Sequence, residues 1–475
     1  MTELLKPDLC VIGAGAGGLS VAAAAAAFGV PVVLIEHGKM GGDCLNYGCV
    51  PSKALIAAAK RVADLTSLDA FGVGVGEARI DFAKVRAHLQ GVIAALAPND
   101  SVERFTGLGV RVIAGTARFT DSDTVTVSTD TTIKAGSYVI ATGSSPANPL
   151  ISGLADGDYL TNETIFDLGE CPAHLVIIGG GAVGIEMAQA FRRLGAQVTV
   201  IEMRRALGNE DFECVDIVLA QLAREGIVIH AGAAVRSVER VGAGVKVMFE
   251  TETGMTSVEG SHLLVAVGRR PNVDGLDLAA AGVKYNAGGI TVDRQLRTSN
   301  KRIYAIGDVT GGSHFTHVAS YHAGIVVRNA LFRLRSKVDT SALPRVLFTD
   351  PELAHVGLTD GEALKLGHKI RVLRSPYFEN DRAQIERRTR GHIKVVTDRR
   401  GNVLGATIVG DNAGEMISTW TLSMAQRINI RHMAQLVMPY PTLSEIGKKA
   451  AVGFFTPSLT TSWVRRIIDL LRRRG

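Results

Sequence analysis

The first 40 residues alternate between short apolar runs and a glycine-rich turn. Asp8–Ile12 predicts a strand, the alanines of 22–27 predict a helix, and Val30–Ile35 predicts a second strand that ends in Glu36. Apolar runs of about four to eight residues that are bounded by turn residues are typical of strands buried in a parallel sheet. The pattern therefore predicts a βαβ unit over 8–36 rather than a membrane span.

The same order of elements occurs a second time. Leu175–Ile178 predicts a strand, a helical stretch follows, and Val198–Ile201 predicts a strand that ends in Glu202. In both copies the acid follows the first glycine of the turn by 23 residues (36 − 13 and 202 − 179). The repeat predicts two similar units in one chain.

Both turns have the spacing G-x-G-x-x-G, which lets the backbone approach a pyrophosphate at a helix N-terminus. The glycines are Gly13, Gly15 and Gly18 in the first copy and Gly179, Gly181 and Gly184 in the second. The acid after the second strand can accept hydrogen bonds from a ribose diol. Two dinucleotide sites indicate one resident cofactor and one diffusible cofactor, with hydride transfer between them.

The acid of the second copy favours NADH, because the carboxylate of Glu202 would repel a 2′-phosphate. Arg204 and Arg205 follow directly and could hold that phosphate, so NADPH stays open.

The rest of the chain contains further strand patterns. Residues 71–133 predict a helix and then a small β-meander. Strands that end in tight turns are predicted at 138–146 and 263–272, where the chain would pass between the two cofactor domains. Arg302–Val309 predicts a strand with Asp308 at its C-terminal end, where ligands bind in open α/β sheets.

From residue 343 the pattern changes to strands separated by polar turns, with helices between them. The predicted strands are 345–348, 369–374, 392–396 and 404–409. This pattern predicts a separate α+β domain that offers a dimer surface. The fold class is therefore α/β, with two Rossmann-like dinucleotide-binding domains and a C-terminal α+β dimerisation domain.

Two of the five cysteines lie close together, Cys44 and Cys49, in the stretch GGDCLNYGCVPSK. One helical turn, with slack from Gly48, could bring the two sulfur atoms together, and the helix is predicted to continue through Lys60. A helix N-terminus favours a thiolate. Redox chemistry is the favoured interpretation, and two structural cysteines or half of a zinc site are the alternatives.

Charge is concentrated at the end of this 475-residue chain. The net charge is +6, and the final stretch WVRRIIDLLRRRG contains five arginines and one aspartate. A basic tail without a basic groove gives little support to a nucleic-acid role. The tail predicts a basic amphipathic helix, with Trp463, Val464, Ile467, Ile468 and Leu471 on one stripe, that docks on an anionic membrane, on the chain itself or on a dimer mate.

The N-terminus has no signal-peptide pattern. The five cysteines do not make a disulfide framework, so a cytosolic setting with one active pair is predicted, with possible membrane association through the tail.

Taken together, these residues resemble the pyridine nucleotide-disulfide oxidoreductases, the family of lipoamide dehydrogenase, glutathione reductase and mercuric reductase. The resemblance covers about Pro7 to Phe455. Its motifs are GAGAGG (13–18), GGDCLNYGCVPSK (41–53), ATGSSP (141–146), GGGAVG (179–184), IGD (306–308) and FTDPELAHVG (348–357).

The resemblance implies a cofactor and a role for each matching region. FAD would bind residues 1–147 and 271–342, NAD(P) would bind 148–270, and 343–456 would form the homodimer, followed by the basic tail 457–475. The implied FAD contacts are Gly13, Gly15, Gly18, Glu36, Gly42, Lys53, Thr142, Gly143, Gly307 and Asp308. The implied NAD(P) contacts are Gly179, Gly181, Gly184, Glu202 and Gly268. No metal site is implied.

The same resemblance implies the catalytic residues. Cys49 would lie against the flavin, Cys44 would meet the acceptor, and Lys53 would pair with Glu186 beside the flavin. Electrons would pass from the nicotinamide cofactor through the flavin to a Cys44–Cys49 disulfide.

One position departs from the disulfide-reducing members of the family. They have a His and a Glu near the C-terminus, supplied by the partner subunit, whereas here Tyr440 stands in place of the His and Glu445 is present. A phenol with a pKa near 10 is a poor base for a thiol. A tyrosine here is similar to mercuric reductase, but no vicinal cysteine pair lies near the end of this sequence and no metal-binding domain precedes its FAD unit. Alternatively, Tyr440 only packs, and His317 or His322 handles the proton.

The sequence therefore predicts an FAD-dependent NAD(P)H oxidoreductase that acts on a thiophilic metal, an oxidant or a disulfide. Dihydrolipoamide dehydrogenase is the alternative within the family. A slow-turnover redox sensor or membrane-docked flavoprotein is the alternative from another class.

Overall fold

The computed structural model of the protein describes residues 3–76, 79–128, 130–155, 157–459 and 462–473. Residues 460, 461, 474 and 475 of the predicted tail lie outside the described residues. Contacts divide the chain into two compact units, one of residues 1–204 and 229–338 and the other of residues 205–228 and 339–475.

The strands are β1 (Glu3–Leu5), β2 (Leu9–Ile12), β3 (Val32–Glu36), β4 (Arg111–Ala114), β5 (Ala117–Phe119), β6 (Val125–Val127), β7 (Thr131–Ile133), β8 (Ser137–Ile140), β9 (Ser144–Pro146), β10 (His174–Ile178), β11 (Gln197–Glu202), β12 (Val228–Ala231), β13 (Ala234–Val241), β14 (Gly244–Thr251), β15 (Gly254–Gly260), β16 (His262–Val265), β17 (Arg269–Pro271), β18 (Tyr285–Asn286), β19 (Gly289–Ile290), β20 (Ile303–Ala305), β21 (Pro344–Leu347), β22 (Glu352–Gly357), β23 (Ile370–Pro376), β24 (His392–Asp398) and β25 (Val403–Gly410).

The α-helices are α1 (Ala16–Ala27), α2 (Gly42–Asn46), α3 (Cys49–Leu65), α4 (Phe82–Leu96), α5 (Val102–Gly107), α6 (Ala182–Arg193), α7 (Phe212–Arg224), α8 (Thr316–Ala330), α9 (Asp360–Lys365), α10 (Asp381–Ile385), α11 (Ala413–Ala425), α12 (Ile430–Gln435), α13 (Glu445–Gly453), α14 (Thr456–Leu459) and α15 (Ser462–Arg472).

A five-stranded parallel sheet forms the centre of the first unit, in the order β20-β8-β2-β3-β4. Val11, Leu34 and Val139 are fully buried on the face that α1 and α8 cover, and the opposite face packs against the strands β5, β6 and β7, so both faces are apolar. Helix α1 packs against α8. The predicted βαβ unit is present, with β3 shifted two residues toward the C-terminus at its start.

A second parallel sheet, β12-β11-β10-β16, contains the repeat of that unit. The predicted meander in 71–133 is also present as β5, β6 and β7 after α4. The antiparallel ribbon β13-β14-β15 was not predicted. Most of β15 is exposed, so its residues lack the apolar alternation that identifies a half-buried strand.

The two predicted crossing turns pair with each other. Strand β9 is antiparallel to β17. Thr142 Oγ1 donates to the carbonyl of Asn272 at 2.7 Å, and Asn272 Nδ2 donates to the carbonyl of Thr142 at 3.0 Å. This pairing fixes both turns beside the C-terminal ends of β8 and β16.

The second unit is built on the antiparallel sheet β21-β22-β25-β24-β23. Trp420, Ile408 and Ile446 form part of its core. The sequence interpretation missed β22, which lies between β21 and β25. Helix α7, which lies within the predicted NAD(P)-binding segment 148–270, packs against β22 and β25 of this unit.

None of the helices within the described residues is both long enough and apolar enough to cross a bilayer.

Candidate active site

The first glycine-rich turn has no room for a side chain at Gly13 or Gly18. Gly13 has φ +103°, and an added Cβ would lie 2.4 Å from the carbonyl oxygen of Ala141. A Cβ on Gly18 would lie 1.8 Å from the carbonyl oxygen of Gly13. Gly15 is the N-cap of α1 and has no side chain to occupy the first amides of the helix. The turn therefore presents backbone N–H groups and a positive helix end, which fits a pyrophosphate.

Glu36 is fixed at the end of β3 by the same turn. Its Oε2 accepts a hydrogen bond from the Ala14 amide at 2.6 Å, and its Oε1 accepts one from the Gly38 amide at 2.7 Å. His37 Nδ1 also lies 3.1 Å from Oε1, whereas Oε2 retains a lone pair that can accept from a ribose hydroxyl. The residues present thus fit the dinucleotide end of FAD.

The second turn repeats this arrangement. A Cβ on Gly179 would lie 2.4 Å from the carbonyl oxygen of Ala266, and one on Gly184 would lie 2.0 Å from that of Gly179. Glu202 accepts from the Gly180 amide at 2.6 Å and from the Arg204 amide at 2.8 Å. The two acids therefore accept from equivalent backbone positions, as the equal spacing predicts.

The two turns differ in what covers them. Gly42 has φ +57°, and a Cβ there would lie 2.7 Å from the Cα of Gly15. The Gly41–Gly42 turn therefore lies directly over the first glycine turn. An atom added at Gly181, the equivalent of Gly15, would meet no atom of the described residues within 4 Å.

The two cysteines lie on two consecutive helices. Cys44 is in α2, and Cys49 is the first residue of α3. Tyr47 and Gly48 lie between the two helices and are not helical. The predicted single turn is therefore interrupted, while the predicted helix after Cys49 is present. Both cysteines are thiols in this structure. Cys49 Sγ lies 3.5 Å from Thr316 Oγ1.

The two thiols have opposite pKa shifts. The pKa of Cys49 is lowered to about 6, chiefly by a hydrogen bond with Cys44 and also by Thr316 and the charge of Lys53, against a desolvation effect that raises it. The same hydrogen bond and desolvation raise the pKa of Cys44. At neutral pH the reduced pair therefore holds its negative charge on Cys49, at the N-terminus of α3.

Lys53 and Glu186 form an ion pair between α3 and α6, with Nζ and Oε2 2.8 Å apart. Glu186 is buried, so its carboxylate depends on this partner. The structure thus brings together the two residues that the resemblance paired.

A polar network that the sequence interpretation missed holds the redox stretch in place. Arg269 forms an ion pair with Asp43 at 3.1 Å and donates through Nε to Ser144 Oγ at 2.7 Å. Ser144 Oγ donates to Asp308 Oδ2 at 2.6 Å. Asn162 Nδ2 also donates to Asp43. Arg269 lies in the predicted crossing segment 263–272 and was visible there as a charged residue in a turn. Sequence spacing alone could not place it beside Asp43.

The remaining predicted cofactor glycines lie in turns near this network. Gly143, Gly268 and Gly307 have φ values of +71°, +125° and +68°. These positive values favour glycine because a side chain would be strained there.

In the second unit, Tyr440 is exposed and hydrogen-bonded. Its hydroxyl donates to Asp381 Oδ2 at 2.6 Å. The Asp381 carboxylate raises the pKa of Tyr440, and the Glu445 carboxylate adds a smaller effect in the same direction. Glu445 begins α13 and accepts from the Thr442 amide. Asn380, which is fully buried, donates to the carbonyl of Thr442 and ties this loop to α10.

The alternative proton carriers lie in the first unit. His322 is buried, its Nδ1 accepts from the Gly307 amide at 3.3 Å, and burial lowers its pKa. His317 is exposed and stacks on Phe315. Among the described residues, no group of three or more His, Cys, Asp or Glu side chains is placed to hold a metal ion.

Comparison with known proteins identifies the family. The model for pyridine nucleotide-disulphide oxidoreductase matches residues 7–323, and the model for the dimerisation domain of the same family matches residues 343–451. The chain belongs to this family, which confirms the resemblance, the fold class and the FAD and NAD(P)H cofactors. It is an FAD-dependent oxidoreductase with the family's redox disulfide and its dimerisation domain, which supports a homodimer.

Its relatives differ in their acceptors. The chain is 38% identical to a mercuric reductase of Streptomyces lividans over 457 residues, which cover 94% of this chain and 96% of the relative. It is 35% identical to a dihydrolipoyl dehydrogenase of Geobacillus stearothermophilus over 461 residues, which cover 95% of this chain and 97% of the relative. Among solved structures, the chain is similar to the Cu(II) complex of the HOCl-induced flavoprotein disulfide reductase RclA from Escherichia coli, with a TM-score of 0.85 and 27% sequence identity. The match covers 96% of this chain and 100% of the RclA chain.

Proposed function

We propose that this enzyme transfers electrons from NADH to a thiophilic metal ion or an oxidant, rather than to or from a lipoamide dithiol. The observation that carries the proposal is the hydrogen bond from Tyr440 to Asp381. When bound, FAD supplies the two-electron relay between the nicotinamide and the cysteine pair.

The roles of the chain's own residues follow the family resemblance. The first glycine turn, Glu36 and Asp308 bind FAD. The second glycine turn and Glu202 bind the nicotinamide cofactor. Cys49 stores the negative charge of the reduced pair and Cys44 meets the acceptor. Lys53, held by Glu186, places a positive charge beside the flavin.

Dithiol chemistry needs a base that Tyr440 does not provide. Removing a proton from a thiol near neutral pH is a task for a group with a pKa near the working pH, as His has. The phenol of Tyr440 already starts near 10, and the Asp381 carboxylate raises its pKa further. Tyr440 therefore stays protonated and donates a hydrogen bond. It can contact a soft metal ion or orient an acceptor, but it cannot take a proton from dihydrolipoamide.

Reduction of a metal ion or an oxidant does not require residue 440 to remove a proton from a substrate thiol. Oxidation of the Cys49 thiolate and the Cys44 thiol to a disulfide releases two electrons and one proton, and the acceptor takes the electrons. Thiolates bind soft metals directly. The names of the relatives support this class, since one is a mercuric reductase and another is an HOCl-induced reductase in a Cu(II) complex.

NADH is the proposed donor. Arg205 forms an ion pair with Asp216 at 2.5 Å and lies over the ring of Phe212, so it is already engaged. The Glu202 carboxylate disfavours a 2′-phosphate. We also retain the predicted cofactor-binding segments, 1–147 with 271–342 for FAD and 148–270 for NADH, as part of the proposal.

A reducing compartment fits the cysteines. Cys10, Cys171 and Cys214 are free and scattered, and Cys44 and Cys49 form the one candidate redox pair, so the described residues contain no structural disulfide framework. Such a set is expected in the cytoplasm, where disulfides are rare. The cytoplasm is therefore the proposed location.

Steady-state assays with the purified holoenzyme test this function. NADH oxidation should continue over many turnovers with Hg(II), Cu(II) or hypochlorous acid, and it should be lost in Cys44→Ser and Cys49→Ser. Anaerobic NADH should produce a long-wavelength absorbance band in the wild type that is absent in Cys49→Ser. A protein that is reduced once and then stops with every acceptor would be a sensor, and the proposed enzyme would be wrong.

A further inference from the structure

The C-terminal helix α15 exposes its apolar side chains. Trp463, Ile467, Ile468, Leu470 and Leu471 have exposed fractions between 46% for Ile467 and 62% for Leu471. A helix that packs against its own chain buries its apolar face. These side chains are not covered in this way, so α15 presents an apolar surface that the catalytic site does not use.

The residues of α15 separate into two faces. At about 100° per residue, the apolar side chains Trp463, Val464, Ile467, Ile468, Leu470 and Leu471 fall within an arc of about 160°. The charged side chains Arg465, Arg466, Asp469, Arg472 and Arg473 fall in the remaining arc. No charge interrupts the apolar arc between 463 and 473. This arrangement is typical of helices that lie in the plane of a membrane surface.

Charge distinguishes between the partners that could cover this face. Residues 463–473 contain four arginines and one aspartate, so this segment has a net charge of +3 (4 − 1). Two copies of α15 packed through their apolar faces would cover those faces but would leave the arginines without an opposite charge. A bilayer with anionic headgroups matches both faces, because arginines interact with the headgroups and Trp463 suits the boundary between headgroups and acyl chains.

We propose that α15 docks this enzyme on the surface of an anionic lipid bilayer, with the apolar face inserted and the arginines among the headgroups. The helix has 11 residues, which is about 17 Å at 1.5 Å per residue and too short to cross the bilayer. The contact is therefore peripheral and reversible. It is independent of the proposed electron acceptor.

Vesicle binding by the full-length holoenzyme tests this proposal. We expect co-sedimentation with vesicles of phosphatidylcholine and phosphatidylglycerol, weak binding to phosphatidylcholine alone, and release by added salt. The chain has two tryptophans, and Trp420 is buried. A blue shift of fluorescence on adding anionic vesicles should therefore come from Trp463, and Trp463→Phe should remove the shift.

Matched variants separate the two faces of the helix. The double variant Ile467→Asp and Leu471→Asp should abolish binding by removing the apolar face. Arg465→Glu together with Arg466→Glu should weaken binding to anionic vesicles by at least about fivefold for each arginine. Leu364→Asp together with Leu366→Asp changes two leucines that are 60% and 66% exposed outside α15, and it should bind like the wild type.

Three outcomes would overturn the proposal. The first is equal binding to neutral and anionic vesicles, and the second is binding that persists in Ile467→Asp/Leu471→Asp. The third is no vesicle binding together with a smaller oligomer in that variant, which would assign the face to a second copy of the chain. Because the readout is binding and not turnover, a failure of the proposed acceptor chemistry would leave this test intact.

Discussion

The two dinucleotide units of this enzyme use the same backbone device in different surroundings. In each unit, the acid at the end of the second strand accepts from the amide after the first glycine and from the amide two residues beyond itself. In the first turn, Gly42 lies over Gly15, the N-cap of α1. In the second turn, the equivalent N-cap is Gly181, and an atom added there would meet no atom of the described residues within 4 Å. The two turns therefore share the backbone motif and differ in the segment that lies over it, and we expect this difference to affect how readily a bound cofactor leaves.

The cover also connects cofactor binding to chemistry. The segment that lies over the first turn continues into α2, which contains Cys44, and then into α3, which begins at Cys49. The second dinucleotide-binding βαβ repeat contributes Glu186, from α6, the helix that follows its own glycine turn. The redox pair thus belongs to the same segment that covers the first glycine turn, and the second repeat supplies one charge to Lys53.

The largest expected effect comes from adding a methyl group to each turn. Gly15→Ala and Gly181→Ala are matched, since both residues are helix N-caps with ordinary negative φ values, −81° and −76°. Gly15→Ala should lose FAD and all activity, because the added group fills the covered space where the pyrophosphate approaches. Gly181→Ala should keep its FAD and raise the KM for NADH by about tenfold.

Flavin absorbance per protein and NADH kinetics check this pair. If both variants retain FAD and both raise the KM for NADH, the cover does not distinguish the two sites and the comparison fails.

Much of this arrangement could be predicted from the sequence. The glycine spacing, the acids Glu36 and Glu202 and the helix after Cys49 are local features, and periodicity or short motifs specify local features. The interpretation of Tyr440 as standing where a histidine is expected came from the family resemblance, which aligns Glu445 with the family's Glu.

The rest depends on contacts between distant parts of the chain. Asp381 lies 59 residues from its partner Tyr440, and Arg269 is more than 200 residues from Asp43. No local pattern encodes such pairs. Strand β22 was missed because its structure depends on pairing with β21 and β25, which no local pattern specifies.

The second prediction concerns the charge of Lys53, which Glu186 holds in place. Lys53→Met should reduce NADH-dependent turnover by about 100-fold, because a preorganised charge beside the reacting group is lost. Glu186→Gln keeps a hydrogen-bonding partner for Lys53 and should lose less. Steady-state turnover at matched FAD content measures both. Unchanged turnover in Lys53→Met would show that the ion pair only joins α3 to α6.

The third prediction concerns pH. Folding lowers the pKa of Cys49 from 9.0 to about 6, so the Cys49 thiolate of the reduced enzyme is lost as the pH falls through about 6. The associated stability of the reduced protein is complete only above about pH 9 and disappears through the same window near pH 6. The long-wavelength band should follow this titration. Thr316→Val removes a hydrogen bond that lowers the pKa, so its midpoint should be higher, and an unchanged midpoint would contradict the role of Thr316.

The smallest expected effect is on cofactor choice. Glu202→Ala should narrow the preference for NADH over NADPH by only a few-fold, because Arg205 remains engaged by Asp216. The ratio of kcat/KM values for the two cofactors measures this change. A reversal to a strong NADPH preference would show that Arg204 or Arg205 is available to a 2′-phosphate.

The most direct test of the central claim is NAD⁺-dependent oxidation of dihydrolipoamide by the wild type and by Tyr440→His, at equal FAD content. The account predicts a slow wild type and a variant at least about tenfold faster, since a histidine beside Asp381 would supply a base with a suitable pKa. The same variant should gain nothing with metal ions. A fast wild type that the histidine does not improve would contradict the account, and this enzyme would then be a dihydrolipoamide dehydrogenase with its proton handled elsewhere.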